Sequence, residues 1–262
     1  MAIEYPGRLM EISADGQLLW EHKTPSLSIM FNVLPNGNVF YPHGSSGTAG
    51  AEEVDKDHKV VWSYSSTAME MLGGERLANG NSLLGQGGPA LVVELDPAKQ
   101  VVRSIKIPST NTTAHTVVRH VRRLANGNIL AALEGDNAVR EFDATGKMVW
   151  EYKMSGPHDA IRLPNGNTLI GGGLSKKVVE VTAEGQIAWQ FGAQDAPTLG
   201  INNYIGSVQV LKNGNLLVAN WLGASGGTGV HAFEVTRDKK VVWTLNDHKL
   251  IKSATTVTAL DD

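Results

Sequence analysis

Five polar side chains are the main candidates for chemistry in this chain: His43, Arg119, His120, Glu134 and His158. A histidine needs only a small pKa change to act as a base or nucleophile near neutral pH. A guanidinium binds a carboxylate or a sulfate in a fixed fork. We therefore predict His158, with His120, as base or nucleophile and Arg119 as the anion-binding group, while Glu134 is either a ligand-binding residue or the salt partner of Arg119 or Arg122.

A unit that recurs six times along the chain defines these positions. In each unit a glutamate lies nine residues before an anchor residue, which is tryptophan in five units and arginine in the sixth. The glutamate-to-glutamate steps are 42, 41, 47, 39 and 54 residues, a range typical of propeller blades. The six pairs are Glu11/Trp20, Glu53/Trp62, Glu94/Arg103, Glu141/Trp150, Glu180/Trp189 and Glu234/Trp243.

A second mark, Asn-Gly-Asn, lies between these pairs and begins at Asn36, Asn79, Asn126, Asn165 and Asn213. Asn and Gly accept the positive φ that tight hairpin turns need. In the clearest unit the pattern predicts four short strands, at 158–163, 168–171, 178–182 and 186–191. Four antiparallel strands joined by tight turns make one blade, and we find no helical periodicity along the chain.

The repeat predicts an all-β fold, a six-bladed β-propeller of four-stranded antiparallel blades in a single domain over residues 1–262. The sixth blade is split between the chain ends. Residues 253–260 match the innermost strand, 2–5 supply the second strand, and 8–22 supply the two outer strands. Sharing one blade between the ends closes the ring and removes unpaired sheet edges.

Residues shared by all units are expected to be structural. A tryptophan near the end of an outer strand can wedge against the next blade and bury on the order of 200 Å²; the alternative is a set of stacking platforms for sugars. The repeated glutamates are expected to accept inter-blade or turn hydrogen bonds. Function is therefore sought where the repeat breaks.

Three insertions break the repeat, at residues 107–118, 192–205 and 220–230, and all map to one end of the predicted ring. Loops on one face of a rigid scaffold commonly carry binding and catalytic residues. We therefore predict a polar funnel on that face. Tyr204 is the candidate acid, and Asp159 either contacts the ligand or orients His158. The further candidate ligand-binding residues are His43, Gln86, His115, Asn203, Asn220 and Trp221.

The composition excludes several function classes. The 262 residues carry a net charge of −3 with both signs interspersed, so nothing favours nucleic acid. No segment approaches the apolar length of a membrane span. Cysteine is absent, which excludes disulfides, thiolate metal sites and a cysteine nucleophile. No signal peptide is recognisable at Met1; we mildly favour an exported location, periplasmic or extracellular, and expect a monomer.

Two segments resemble known repeat families. Residues 142–150, FDATGKMVW, resemble the tryptophan-docking motif of pyrroloquinoline-quinone-like propellers, and residues 157–169, PHDAIRLPNGNTL, are similar to a pattern of arylsulfotransferase-type propellers. The resemblance implies the propeller fold. It does not extend to the quinone, because the dehydrogenases of that superfamily usually have eight blades, a calcium site and often a vicinal disulfide, which this chain cannot form. For the sulfotransferases, only the His158-Asp159 unit matches.

Three functions stay open, and whether the protein is an enzyme is not decided. The first is the binding of a small polar or carbohydrate-like ligand in the funnel, with or without a reaction. The second is a lyase or transferase acting on an anionic glycan or sulfate ester, for which a divalent metal held by His43, His120 and His158 could polarise a carboxylate. The third is a scaffold for a protein partner. No cofactor is certain.

Overall fold

The computed structural model describes residues 1–45, 47–111 and 113–260. Within these residues, twenty-four strands form six four-stranded antiparallel sheets. These sheets are the blades of a six-bladed β-propeller, the predicted fold class. The chain divides into two compact units, residues 1–23 with 157–262 and residues 24–156. Each unit contributes three blades, and the single domain over residues 1–262 stays a prediction.

The first unit contains the blade that joins the chain ends and two blades from the second half of the chain. The joined blade has the strand order β24-β1-β2-β3, which confirms the split predicted from the repeat. Its strands are β1 (Ala2–Glu4), β2 (Arg8–Ile12), β3 (Leu18–Lys23) and β24 (Ala254–Val257). The other two blades consist of β16 (Pro157–Arg162), β17 (Thr168–Gly172), β18 (Lys177–Val181) and β19 (Ile187–Gly192), and of β20 (Tyr204–Val210), β21 (Leu216–Trp221), β22 (Ala232–Val235) and β23 (Val241–Leu245).

The second unit holds the three blades formed by residues 24–156, each built from four consecutive strands. The strands of its first blade are β4 (Asn32–Val33), β5 (Val39–His43), β6 (Gly50–Val54) and β7 (Val60–Ser65). Those of its second blade are β8 (Glu70–Arg76), β9 (Ser82–Gly87), β10 (Leu91–Leu95) and β11 (Val101–Lys106). Those of its third blade are β12 (His120–Arg123), β13 (Ile129–Leu133), β14 (Ala138–Phe142) and β15 (Met148–Lys153).

The Asn-Gly-Asn segments form the tight turns between the first and second strands of five blades. Their glycines have φ between 82° and 88°, a conformation that glycine adopts without steric cost. The first asparagine closes the turn, because its side-chain oxygen accepts the backbone N–H two residues on, as Asn36 does from Asn38 at 3.0 Å. The turn chemistry read from the sequence is confirmed.

Apolar side chains from adjacent blades form the cores within each unit. In the second unit one core joins β8–β11 to β12–β15 through Leu83, Val121 and Phe142. In the first unit Phe191 packs on Phe233, with ring centroids 5.5 Å apart. The two middle strands of a blade are mostly buried, whereas outermost strands such as Val60–Ser65 alternate between exposed and half-buried residues.

Two short helical turns occur where the sequence predicted none. A four-residue helix, Ala114–Val117, lies in the connection between β11 and β12, and a 3-10 turn, Pro197–Leu199, lies between β19 and β20. Both fall in predicted insertions and are too short to give a periodic signal. Thr112, within the predicted insertion 107–118, lies outside the described residues. In the part of the chain that the structure describes, no helix is long and apolar enough to cross a membrane.

Candidate functional site

The repeated glutamates are structural, as expected. In five blades the last asparagine of the turn donates its side-chain amide to the glutamate of the same blade. The distances are 2.7 Å for Asn38–Glu53, 2.7 Å for Asn81–Glu94, 2.6 Å for Asn128–Glu141, 2.6 Å for Asn167–Glu180 and 2.5 Å for Asn215–Glu234. The carboxylate thus ties the first turn of a blade to its third strand.

The repeated tryptophans connect neighbouring blades. The indole N–H of Trp62 donates to the carbonyl of Pro97 at 3.4 Å, and that of Trp189 donates to the carbonyl of Arg237 at 2.8 Å. Both acceptors lie in the turn between the third and fourth strands of the next blade. Arg103, at the position of the missing tryptophan, reaches the next blade as well and donates to the carbonyls of Gly127 and Asp143. These contacts confirm the stapling role.

In the second unit, Arg119 and Glu134 lie just before β12 and just after β13, at the same end of one blade. The Nε of Arg119 donates to Oε2 of Glu134, and both side chains are buried. Of the alternatives left by the sequence, the structure therefore shows Glu134 as the salt partner of Arg119. A buried guanidinium whose charge is already matched is a poor receptor for a second anion.

His120 begins β12 and is buried beside a tight backbone contact. A Cβ built on Gly73 would lie 2.6 Å from the Arg119 carbonyl oxygen and 2.8 Å from the Cα of His120. Only glycine at position 73 permits this approach of β8 to β12. The repeat predicted that His120 lies at the end of an innermost strand. The close packing of β8 on β12 holds the His120 backbone there.

His43 ends β5 next to a buried hydrogen-bonded pair. Its Nδ1 lies 3.2 Å from the Ser26 hydroxyl, and its ring centroid lies 6.1 Å from that of Tyr41, whose hydroxyl donates to Glu52 at 2.5 Å. Burial lowers the pKa of the His43 imidazole, and the Glu52 carboxylate acts in the opposite direction. Burial also raises the pKa of Tyr41, as does its bond to Glu52. His43 is therefore kept neutral near pH 7.

Gln86 and His115 have protein partners in the same unit. The Gln86 amide donates to the Ser66 hydroxyl at 3.3 Å. His115, in the short helix, places Nδ1 2.8 Å from Oε1 of the buried Glu70, and half of its side chain is exposed. Each of these predicted ligand-binding residues thus fixes a loop to a strand.

In the first unit, four aromatic rings form a continuous row. The rings of His158 and Tyr204 stack with centroids 4.9 Å apart and planes at 23°, and Tyr204 contacts Trp221 at 4.9 Å and 56°. Trp221 also meets Tyr5 edge-on at 5.9 Å. All four residues are half-buried. Tyr204 begins β20 and Trp221 ends β21, and the two are directly paired, which explains why the row forms at the strand ends.

Asp159 holds a neighbouring strand through its buried carboxylate, and its predicted role in orienting His158 stays a prediction. It is 1% exposed, and its Oδ2 accepts the backbone N–H of Val208 at 3.1 Å. Asn203 lies against the second loop, because a Cβ on Gly223 would be 3.3 Å from its amide nitrogen. The Val208–Asp159 bond links blade β16–β19 to blade β20–β23. The approach of Asn203 to Gly223 links the inserted loop 192–205 to the inserted loop 220–230.

Asn220 holds the two inserted loops of the first unit together. It is fully buried, and its amide nitrogen donates to the carbonyls of Leu199, Gly200 and Val230 at 3.4, 3.3 and 2.8 Å. The backbone N–H of Val230 donates to Leu199 at 3.0 Å. The two loops therefore meet, as their predicted location at one end of the molecule requires.

The structure does not establish that the predicted catalytic and ligand-binding residues form a single site. His43, Arg119, His120 and Glu134 belong to the second unit and His158 to the first, so their convergence on one funnel is still a prediction. Within residues 1–45, 47–111 and 113–260, no group of three histidine, aspartate or glutamate side chains is arranged to hold a metal ion. A divalent metal at His43, His120 and His158 likewise stays untested.

Sequence analysis missed two residues with a definite role. Arg237 ion-pairs with Glu180 and lies over the Trp189 ring, 5.0 Å from its centroid. His231 is fully buried, with its ring 4.6 Å from that of His248. Neither stands at a repeated position, so comparison of the units with each other gave no signal for them.

Comparison with known proteins identifies the family. The family model described as "Outer membrane protein assembly factor BamB" matches residues 7–256, whereas a comparison with curated protein sequences found no significant match. A protein of unknown function from Bacteroides caccae superposes with a TM-score of 0.84 at 23% identity, covering 96% of this chain and 94% of that one.

Two further solved structures share the fold at lower identity. An inactive virginiamycin B lyase from Staphylococcus aureus with quinupristin gives a TM-score of 0.64 at 14% identity, covering 91% and 77% of the two chains. The WD40 propeller of Doa1 gives 0.62 at 14%, covering 82% and 69%. These three likenesses show the fold alone. Because the family model spans nearly the whole chain, the protein belongs to the BamB-like family of PQQ-like repeat propellers.

Proposed function

We propose that this protein binds a small, polar, carbohydrate-like ligand on the aromatic row of its first unit. The proposal rests on the row formed by the rings of His158, Tyr204, Trp221 and Tyr5. These half-buried rings lie at strand ends beside two inserted loops. Tyr and Trp combine a flat apolar face with a polar edge. A sugar ring, which has apolar C–H faces and a rim of hydroxyls, complements such a surface.

The surroundings of the row support a preformed site. Asn220 and the Val230–Leu199 bond fix the two loops to each other. Gly200 and Gly229 approach closely, since a Cβ on Gly200 would lie 2.8 Å from the Cα of Gly229. Loops held in this way lose little conformational entropy when a ligand binds, and such preorganisation favours affinity.

A thermal-shift panel of neutral sugars, uronic acids and sulfated sugars tests the proposal. We expect at least one compound to raise the melting temperature, and Trp221→Ala and Tyr204→Ala to weaken its binding by about two- to tenfold each, as expected for loss of an aromatic stacking contact of roughly 0.5–1.5 kcal/mol. Trp243→Ala, which removes an exposed tryptophan outside the row, is the matched control and leaves the affinity unchanged. A panel without a stabilising compound, or binding indifferent to Trp221 and Tyr204, would refute the proposal.

A second candidate is a lyase or transferase that uses the same surface. The observation that favours it is the stacking of the His158 imidazole on the Tyr204 phenol, which sets a base and an acid side by side. The same panel separates the two functions. A binding protein leaves every compound chemically unchanged, whereas an enzyme consumes its ligand and stops doing so in His158→Ala.

A further inference from the structure

Arginine side chains occupy the junction between neighbouring blades in both units. At three junctions a guanidinium pairs with the repeated glutamate of the preceding blade: Arg76 with Glu53 at 2.9 Å, Arg123 with Glu94, and Arg237 with Glu180. Where that blade has a tryptophan, the guanidinium also lies over its ring, at 4.2 Å for Arg76 on Trp62 and 5.0 Å for Arg237 on Trp189. The repeat thus defines a guanidinium position between an indole and a carboxylate.

Among the described residues, the junction between blade β20–β23 and the joined blade has the indole of Trp243 and the carboxylate of Glu234 but no arginine in its lining. The strand register assigns the vacant position to Ala259. In the joined blade Val257 pairs with Ala2, and Ala259 follows two residues after Val257. In blade β12–β15 Val121 pairs with Ala131, and Arg123 follows two residues after Val121.

A backbone contact confirms this equivalence. The N–H of Ala259 donates to the side chain of Gln209 in the preceding blade at 2.8 Å. The N–H of Arg123 donates in the same way to Glu75, the residue equivalent to Gln209. The backbone at the last junction is therefore held as elsewhere, and only the guanidinium is missing.

The missing side chain leaves a groove of about 690 Å³ in the first unit, lined by Glu11, Asp15, Glu234, Trp243 and Ala259 among others. Of the residues that the structure describes, this lining includes three carboxylates and no lysine or arginine side chain; it also includes Met1, whose amino group donates to the Thr258 carbonyl at 2.6 Å. Trp243 is 40% exposed, whereas the other four repeated tryptophans are half-buried. Both turn asparagines bond to Oε1 of Glu234, and within the described part of the chain its Oε2 has no partner.

We propose that this groove binds an arginine side chain of a peptide partner. Charge complementarity and the protein's own junctions identify the occupant. A guanidinium placed over the Trp243 ring would reach Glu234, as Arg76 reaches Glu53 from above Trp62. Arginine is preferred over lysine because its planar guanidinium stacks on an aromatic ring while it forms paired bonds to a carboxylate. The groove is separate from the aromatic row, so this proposal does not depend on the ligand proposed above.

Peptide titration followed by NMR tests the assignment. The probes are acetyl-Gly-Arg-Gly-amide and the same peptide with citrulline, the neutral isostere of arginine. The reporter is the indole N–H signal that disappears in Trp243→Phe. We expect the arginine peptide to bind at least about tenfold more tightly than the citrulline peptide, and Glu234→Gln to weaken its binding about tenfold, because each change removes a charge that assists the contact. Equal binding of both peptides, or none, would overturn the proposal.

A variant whose own side chain fills the groove provides a second test of the proposal. Ala259→Arg supplies the missing guanidinium from within the chain; it is expected to abolish peptide binding and to raise the melting temperature by about 2–4 °C. Val210→Arg is the matched control, because it adds an arginine at the equivalent position of a junction that Arg237 already occupies, and it should change neither property. Peptide binding that survives Ala259→Arg contradicts the assignment. If Ala259→Arg instead converts a dimer into a monomer on sedimentation, the occupant is a second copy and the peptide proposal is overturned.

Discussion

At the scale of single residues, Arg76 shows how one side chain satisfies two repeated positions at once. Its guanidinium lies 4.2 Å from the Trp62 ring centroid and bonds to Oε2 of Glu53 at 2.9 Å, with about a tenth of each charged side chain exposed. The sequence identified the glutamate and the tryptophan as structural. It did not identify the arginine, because that position is arginine in only three of the six units, valine in two and alanine in one.

Removing this arginine leaves a mostly buried carboxylate without its countercharge. We expect Arg76→Met to lower the free energy of unfolding by about 3 kcal/mol, as typically measured when one partner of a buried ion pair is removed. Urea unfolding followed by fluorescence would measure the loss. The double variant Arg76→Met/Glu53→Gln is the control, since it also removes the stranded charge. It should be more stable than the sum of the two single changes predicts, and simple additivity would contradict the coupling.

At the scale of elements, Asn220 shows that residue spacing can locate a strand end without showing which way each side chain points there. Its position at the end of β21 made it a candidate for ligand binding, as it did Trp221. Side chains alternate between the two faces of a strand, so adjacent residues at one strand end point in opposite directions. Trp221 joins the aromatic row, whereas Asn220 turns to the backbone of the inserted loops. The sequence located the strand end but could not assign the two faces.

Because Asn220 bonds to both inserted loops, we expect its replacement to affect those loops more than the strands. Asn220→Ala deletes a buried donor that serves three carbonyls, and we expect a loss of about 1–3 kcal/mol in unfolding free energy because those carbonyls are left unsatisfied. Hydrogen exchange should accelerate at the amide of Val230 before it does in the strands. Asn202→Ala, an exposed change in the inserted loop 192–205 that Asn220 contacts, is the control. Uniform acceleration over the unit would show that Asn220 supports the blade as a whole and not the loops.

At the scale of the whole molecule, the repeat was sufficient to predict the fold. Glutamate, tryptophan and Asn-Gly-Asn recur because each blade needs the same turn and the same contact to the next blade; the turn forms within one unit and the contact forms between consecutive units. The blade joined from β24 and β1–β3 followed from the same comparison. The candidate site was less predictable, since it depends on side-chain partners such as Glu70 for His115 that lie on different elements. Non-repeated residues, such as Arg237 and His231, gave no pattern to compare.

Buried histidines predict how the stability of the protein depends on pH. Burial, followed by the neighbouring His248, lowers the pKa of His231, and Asp247 opposes the shift; burial lowers the pKa of His43 in the same direction. The unfolded chain therefore binds these protons at a higher pH than the folded chain does. Their full stabilising effect is present above the ordinary histidine pKa of about 6.5 and is lost as pH falls toward the lower folded values.

We therefore expect the free energy of unfolding, measured in urea, to decrease between pH 7.5 and pH 5.5. His231→Gln should reduce that decrease whatever its effect on stability at pH 7.5, because the glutamine does not titrate. His58→Asn, at an exposed turn position with φ of 64° that asparagine tolerates, should retain the full dependence on pH. An identical pH dependence in His231→Gln and the unmodified protein would show that other groups control the acid sensitivity. A dependence that persists in His231→Gln but disappears when His43 is also replaced would instead assign it to the second unit.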